Sequence, residues 1–202
     1  MRKSSFFIAV FAVWINTTTV IAGEKAENLS SSDAGVVING VRWATRNVNA
    51  PGTFVQNPEE AGRFYQWNRR TGLTAIASVS SWDSSNPTNI VWSRANNPCP
   101  EGWRVPTQTE LHSLRSSGRT WTNRNGVNGR LFGTAPNQIF LPTTGFLHYN
   151  DGSQNSVNSF GFYWSSTQNN DGSAVGFIFD RNGANILSFW QSNGFAIRCV
   201  AE

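Results

Sequence analysis

The segment Asn97-Pro98-Cys99-Pro100-Glu101-Gly102-Trp103-Arg104-Val105-Pro106-Thr107-Gln108-Thr109-Glu110-Leu111 carries the clearest local signal in the chain. Thr107 and Glu110 have the spacing of a capping box. In that motif the Thr hydroxyl accepts from the Glu amide, and the Glu side chain reaches back to the Thr amide. Leu111 and Leu114 supply a buried face, Arg115 sits near the negative end of the helix, and Gly118 suits a left-handed stop. The spacing predicts a helix over 107–117, with His112 facing solvent.

Upstream, Val36-Val37-Ile38 and Val41-Arg42-Trp43 flank Asn39-Gly40, which supplies the positive-φ residues of a tight hairpin. Asn57-Pro58-Glu59-Glu60 reads as the start of a second helix, a short one because Gly62 follows. Arg63 to Trp67 reads as a strand. Residues 78–97 are rich in Ser and Asn with Trp82 and Trp92 embedded, which predicts a long ordered loop. From residue 130 onward short apolar runs alternate with turns, at 138–141, 162–164, 175–180, 186–190 and 195–200. Asn182-Gly183 and Asn193-Gly194 punctuate the last three runs, which are expected to form a meander. No internal repeat is visible, so solenoids and propellers are disfavoured. The expected class is α+β, with short helices packed on antiparallel sheets, long loops and one disulfide.

The chain has 202 residues, 39% hydrophobic, 14% charged and 13% aromatic, with 18 Gly and 9 Trp. That composition is globular and loop-rich. Residues 1–22 combine the basic start Met1-Arg2-Lys3, an apolar run from Phe6 to Trp14 and small or medium residues before Gly23, which reads as a secretory signal peptide. The apolar run is too short for a transmembrane anchor, because a bilayer needs about 20 residues. No Cys follows the expected cut, so a lipidated Cys is not expected. Residues 23–35 read as a flexible lead-in and 36–202 as one domain.

Removing 22 of the 202 residues leaves 180, carrying 13 Arg, 1 Lys and 12 acids. A net charge near +2, with no basic stripe and Arg69-Arg70 as the one adjacent basic pair, does not indicate nucleic-acid binding. The two cysteines, Cys99 and Cys199, most simply pair with each other in an oxidising compartment. A metal or catalytic thiol pair lacks a CxxC spacing and a neighbouring His.

Catalytic constellations are sparse. A Ser nucleophile needs a His base and an orienting group. Only His112 and His148 exist, and neither lies in a nucleophile motif. Most acids sit in turns or at expected helix starts, as Glu59, Glu60 and Glu110 do. Asn150-Asp151-Gly152 and Asn169-Asn170-Asp171-Gly172 offer oxygen ligands for calcium, but Asx-Gly is also ordinary turn chemistry, and no metal or other cofactor is expected. Trp43, Trp67, Trp103 and Trp164 are expected in the core. Trp82, Trp92 and Trp121 lie in polar loops, where an indole can stack on a sugar ring or anchor a protein partner, and they are the candidate ligand-binding residues.

The 97–111 segment resembles the hallmark run, C-P-x-G-W-x-x-P-T-x-x-E, of the Fibrobacter succinogenes major paralogous domain. Trp43-Ala44-Thr45-Arg46-Asn47-Val48, Gly62 to Asn68, Phe162 to Thr167 and Gly194 to Val200 fit further blocks of that family, so the resemblance spans about residues 36–201. The W-R-x-P-T-x-x-E part is also similar to the formylglycine-generating enzyme family, whose core is C-type-lectin-like. The resemblance implies a compact fold with neighbouring first and last strands, and a Cys ahead of a helix bridged to the final strand. It does not carry over oxidase chemistry, which needs a paired-cysteine copper centre. The calcium and sugar triplets of true C-type lectins, Glu-Pro-Asn or Gln-Pro-Asp, and their Trp-Asn-Asp run are absent as well.

Members of the family are exported bacterial proteins, so the resemblance implies a secreted or cell-surface location, with the periplasm an alternative. The expected function is non-catalytic recognition or adhesion toward a glycan or a cell-surface protein, with no membrane span in the mature chain. The alternatives are an exported polysaccharide-active enzyme using Asp83, Asp151 or Asp171, and a structural cell-surface or fimbria-associated subunit.

Overall fold

The computed structural model describes residues 31–75, 82–87, 91–169 and 172–202. The expected signal peptide, most of the lead-in and Asp171 lie outside the described residues. The strands are β1 (Val36–Ile38), β2 (Val41–Trp43), β3 (Tyr65–Gln66), β4 (Trp103–Arg104), β5 (Arg119–Arg124), β6 (Val127–Thr134) and β7 (Asn137–Pro142), followed by β8 (Phe146–Leu147), β9 (Gln154–Asn155), β10 (Gly161–Gln168), β11 (Ser173–Phe179), β12 (Ala184–Trp190), β13 (Gly194–Phe195) and β14 (Val200–Ala201). Among the described residues the α-helix α1 (Gln108–Ser116) lies between β4 and β5, and a 3-10 turn covers Arg94–Asn96.

The strands form four sheets, ordered β1-β2-β14-β4, β10-β11-β12, β3-β13-β8-β9 and β5-β6-β7. The first hairpin turns through Asn39 at φ 49° and Gly40 at φ 82°, as its sequence predicts. Its second strand pairs with the last, Trp43 opposite Val200, and the same last strand pairs with β4. The first and last strands of the domain therefore share one sheet. The fold is α+β, mostly antiparallel. Among the described residues, no helix is long and apolar enough to cross a membrane.

Helix α1 is capped as its sequence predicts. Glu110 N–H donates to Thr107 Oγ1 at 3.3 Å, and Thr107 N–H donates to Glu110 Oε2 at 2.7 Å. The Arg104 guanidinium adds a fork, at 2.9 Å to Oε2 and 2.6 Å to Oε1. Leu111 and Leu114 are buried, and His112 is exposed. The stop differs from expectation. Ser117 ends the helix in extended backbone at φ −70°, and Gly118 is not left-handed. The glycine is needed for close approach instead. Its carbonyl accepts from Gly133 N–H at 2.7 Å, and a Cβ on it would lie 2.8 Å from Gly133 O.

Burial raises the Glu110 pKa, but the hydrogen bonds from Arg104 and Thr107 outweigh it and leave the pKa below its ordinary 4.5. The folded state holds this proton more weakly than the unfolded chain. The resulting stabilisation is present above about pH 4.5 and is lost as pH falls through the lower folded value. Glu110→Gln should cost about 1 kcal/mol at neutral pH. It should also flatten the fall in melting temperature below pH 4.5, which thermal melts across pH 3–7 on both proteins would read.

The second expected helix does not form. Glu60 folds back instead, its Oε1 accepting from Asn57 N–H at 3.0 Å and from Asn57 Nδ2 at 2.8 Å, which closes an isolated turn. Gly62 follows at φ 71°, where a Cβ would lie 2.2 Å from Val48 O. Pairing to the segment at Val48 replaces helix propagation. Of the expected strand 63–67, only Tyr65–Gln66 is ladder-paired, while Phe64 bridges to Leu73. The C-terminal meander also needs correcting. It is β10-β11-β12, and the final run touches it only through a parallel bridge of Ala196 to Tyr163 while pairing with β3, β8, β2 and β4.

Two hydrophobic cores lie on either side of doubly buried strands. Along β10, Phe162 and Trp164 face one core and Tyr163 the other. Along the C-terminal run, Phe195, Ile197 and Cys199 face the first core while Ala196 and Val200 face the second. Period-2 alternation with both faces covered explains why these runs read as continuously apolar. Trp43, Trp67, Trp103 and Trp164 are all buried, as expected.

Candidate functional site

The two cysteines are joined, Cys99 to Cys199, with Cα atoms 6.1 Å apart and a sequence separation of 100. The bond lies beside the β4–β14 pair, so it fixes the approach to α1 against the last strand. The end of the expected lead-in is also tied down. The Asp33 carboxylate is buried, accepting from Gly35 N–H at 2.9 Å, Thr45 N–H at 3.1 Å, Thr45 Oγ1 at 2.8 Å and Arg46 Nε at 3.2 Å. These bonds anchor residues 33–35.

The structure places the three candidate tryptophans in three different settings. Trp82 is half-buried. Its Nε1–H donates to Tyr149 O at 2.8 Å, and its ring lies so close over Gly152 that a Cβ there would be 2.3 Å from Cε3. Trp82 thus props the loop 148–152. Trp92 is half-buried too, donating to Asn96 O at 3.2 Å with its ring 5.6 Å from Trp67, edge to face. Trp121 does not lie in a loop. It sits on β5 opposite Arg130 in a β5–β6 hairpin. The signal for that hairpin, Asn125-Gly126 between runs of six and eight residues, was present in the sequence.

Two clefts lie nearby, one lined by Trp92 and the other by Tyr149, the hydrogen-bond partner of Trp82. One, of about 420 Å³, is lined by Trp92, Arg94, Arg104, Thr107, Ser166 and Glu202 among others. Its polar groups are largely occupied, since Arg104 is forked onto Glu110 and Arg94 lies 3.8 Å from Glu202.

The other, of about 440 Å³, lies between the β8–β9 loop and the end of β12, and is lined by Phe146, His148, Tyr149, Phe189 and Trp190 with Ser173, Ser188 and Asn193. Trp190 is 52% exposed and Tyr149 39%, which is unusual for rings of that size. Their centroids are 6.2 Å apart at an interplanar angle of 46°. Sequence reasoning placed Trp190 inside a strand and gave it no role. The available signal was its position as the last strand residue before the polar turn Gln191-Ser192-Asn193-Gly194.

The loop carboxylates are tied into turns. A hydrogen bond from Arg69, then bonds from Ser85, hold Asp83 well below the usual carboxylate range. Asp151 is held down first by the Ser153 backbone amide, which donates to its Oδ1 at 3.0 Å. Among the described residues, no group of three or more His, Cys, Asp or Glu side chains comes together as a metal site would require.

These features define an antiparallel α+β domain closed by its own terminal strands and a disulfide, with an aromatic cleft at one loop. The profile of the Fibrobacter succinogenes major domain matches residues 15–201, and the chain belongs to that family. No curated protein and no solved structure matches it.

Proposed function

We propose that the chain is an exported, non-catalytic recognition or adhesion domain of the bacterial surface, built on a C-type-lectin-like scaffold and binding glycan. The reading of residues 1–22 as a signal peptide and the membership of the family support export and a surface location. The paired terminal strands and the Cys99–Cys199 bridge support the lectin-like reading of the scaffold. The carboxyls of Asp83 and Asp151 sit below the ordinary range, whereas a general acid in glycoside hydrolysis needs a raised pKa. That contrast argues against either of them as the general acid.

The observation that carries the proposal is the exposed pair Tyr149 and Trp190 at the mouth of a cleft edged by hydroxyl and amide groups. Aromatic faces beside a few polar groups are what a sugar's apolar face and hydroxyl rim require. On a glycan array the wild-type protein should mark at least one glycan class, and Trp190→Ala should weaken that signal at least tenfold. An array silent for the wild-type protein would count against the glycan reading. In that event, co-purification with a surface assembly would support the structural-subunit alternative.

A further inference from the structure

The aromatic cleft also constrains which glycans it can take. Phe146, His148, Tyr149 and Trp190 follow one another along its wall. Each ring is tilted against the next, by 48° between Phe146 and His148, 39° between His148 and Tyr149, and 46° between Tyr149 and Trp190. No adjacent pair is coplanar. A crystalline polysaccharide face presents sugar rings in one plane, so only one of these rings can lie flush on it. A sugar at a chain end, or successive sugars of a twisted soluble chain, can meet two tilted faces at once.

Charge narrows the choice further. Among the described residues that line it, none is Arg, Lys, Asp or Glu. Asn150 N–H lies 3.4 Å from His148 Nδ1, which ties that ring edge to the loop. The carboxylate beside it is Asp151, with Oδ1 3.7 Å away, and Asp83 follows Trp82 in the segment that supports the loop. An anionic sugar entering here would lose water with no Arg or Lys among the described lining residues to receive it, and the Asp151 carboxylate stands beside His148.

Resting on the glycan reading above, we propose that this cleft binds an uncharged pyranose of a soluble glycan chain, held against the exposed faces of the Tyr149 and Trp190 rings, and rejects both uronic-acid polymers and flat crystalline surfaces. The expected result is read by titration calorimetry against soluble uncharged glucans, mannans, xylans and galactans and against polygalacturonate, with a pull-down on microcrystalline cellulose. At least one uncharged polymer binds at least tenfold more tightly than polygalacturonate. Tyr149→Ala and Trp190→Ala each weaken that binding at least tenfold, and Trp190→Phe restores most of it. Both rings are exposed, and an unchanged melting temperature for the variants confirms that the fold is intact. Equal or tighter binding of polygalacturonate, or Trp190-dependent retention on microcrystalline cellulose, would overturn the selectivity while leaving glycan recognition standing. Silence across all three probe sets, matched by silence on the array, would remove the glycan reading itself.

Discussion

Reduction of the Cys99–Cys199 bond should lower the stability of the domain by about 5 kcal/mol, the chain-entropy value for a loop of this size. The effect acts mainly on the unfolded chain. In the folded domain Cys99 precedes β4 and Cys199 precedes β14, and those strands already pair through Val200 opposite Arg104 and Ala201 opposite Trp103. Unfolding releases the ladder but not the disulfide, so the oxidised unfolded chain stays looped over most of the domain. Cys99→Ala, Cys199→Ala, the double variant and the reduced wild type should therefore converge on one urea midpoint, about 2 M below the oxidised protein. A midpoint that does not move on full reduction would show that packing alone holds the last strand in place. Single variants differing from the double by more than about 1 kcal/mol would point to local packing of these buried sulfurs rather than loop closure.

How much of this was readable in advance follows from the range of the interactions. The capping box, the Asn39-Gly40 hairpin and the four core tryptophans depend on neighbours within a few residues or on burial of large rings, and they were legible. The segment at Asn57 has a good local helix start, but pairing to Val48 and the close approach at Gly62 are tertiary terms, and they prevail over propensity. Gly118 looked like a helix stop because handedness is glycine's commonest use, whereas its actual neighbour is Gly133 on another strand. The candidate site was legible only in kind. Aromatic residues near polar turns could be picked out, but Trp121 belongs to a hairpin and Trp82 is engaged with the Tyr149 loop. Trp190 is exposed because its strand ends at a sheet edge, a fact fixed by the β11–β12 register, with Trp190 opposite Ser173.

The same long-range logic applies to Arg198, to which no local pattern assigns a role. Its side chain is 1% exposed among acceptors from three parts of the chain. Nε and Nη2 donate to Asn47 Oδ1 at 3.0 and 2.8 Å, Nη1 to Ala44 O at 3.1 Å and Nη2 to Phe140 O at 3.1 Å. Asn47 in turn reaches Ala61 O at 3.0 Å and the Tyr163 hydroxyl at 3.3 Å, and that hydroxyl donates to Pro142 O at 2.9 Å. Burial pushes the Arg198 pKa down to about 10 and that of Tyr163 up to about 12, so at neutral pH the guanidinium keeps its charge and the phenol its proton. Arg198→Met preserves much of the volume but orphans three buried acceptors, each costing about 1–3 kcal/mol. The expected loss is about 3–5 kcal/mol, a large share of a typical domain's stability. Arg198→Lys should recover only part of it, because one ammonium cannot reproduce the planar fork across Asn47, Ala44 and Phe140. Asn47→Ala in the Arg198→Met background should cost much less than Asn47→Ala alone, since the two side chains act as one unit. Urea melts of this double-mutant cycle on the oxidised protein decide the matter. Additive losses, or an Arg198→Met variant as stable as the wild type, would mean that the three segments are joined by apolar packing and that the buried cation is incidental.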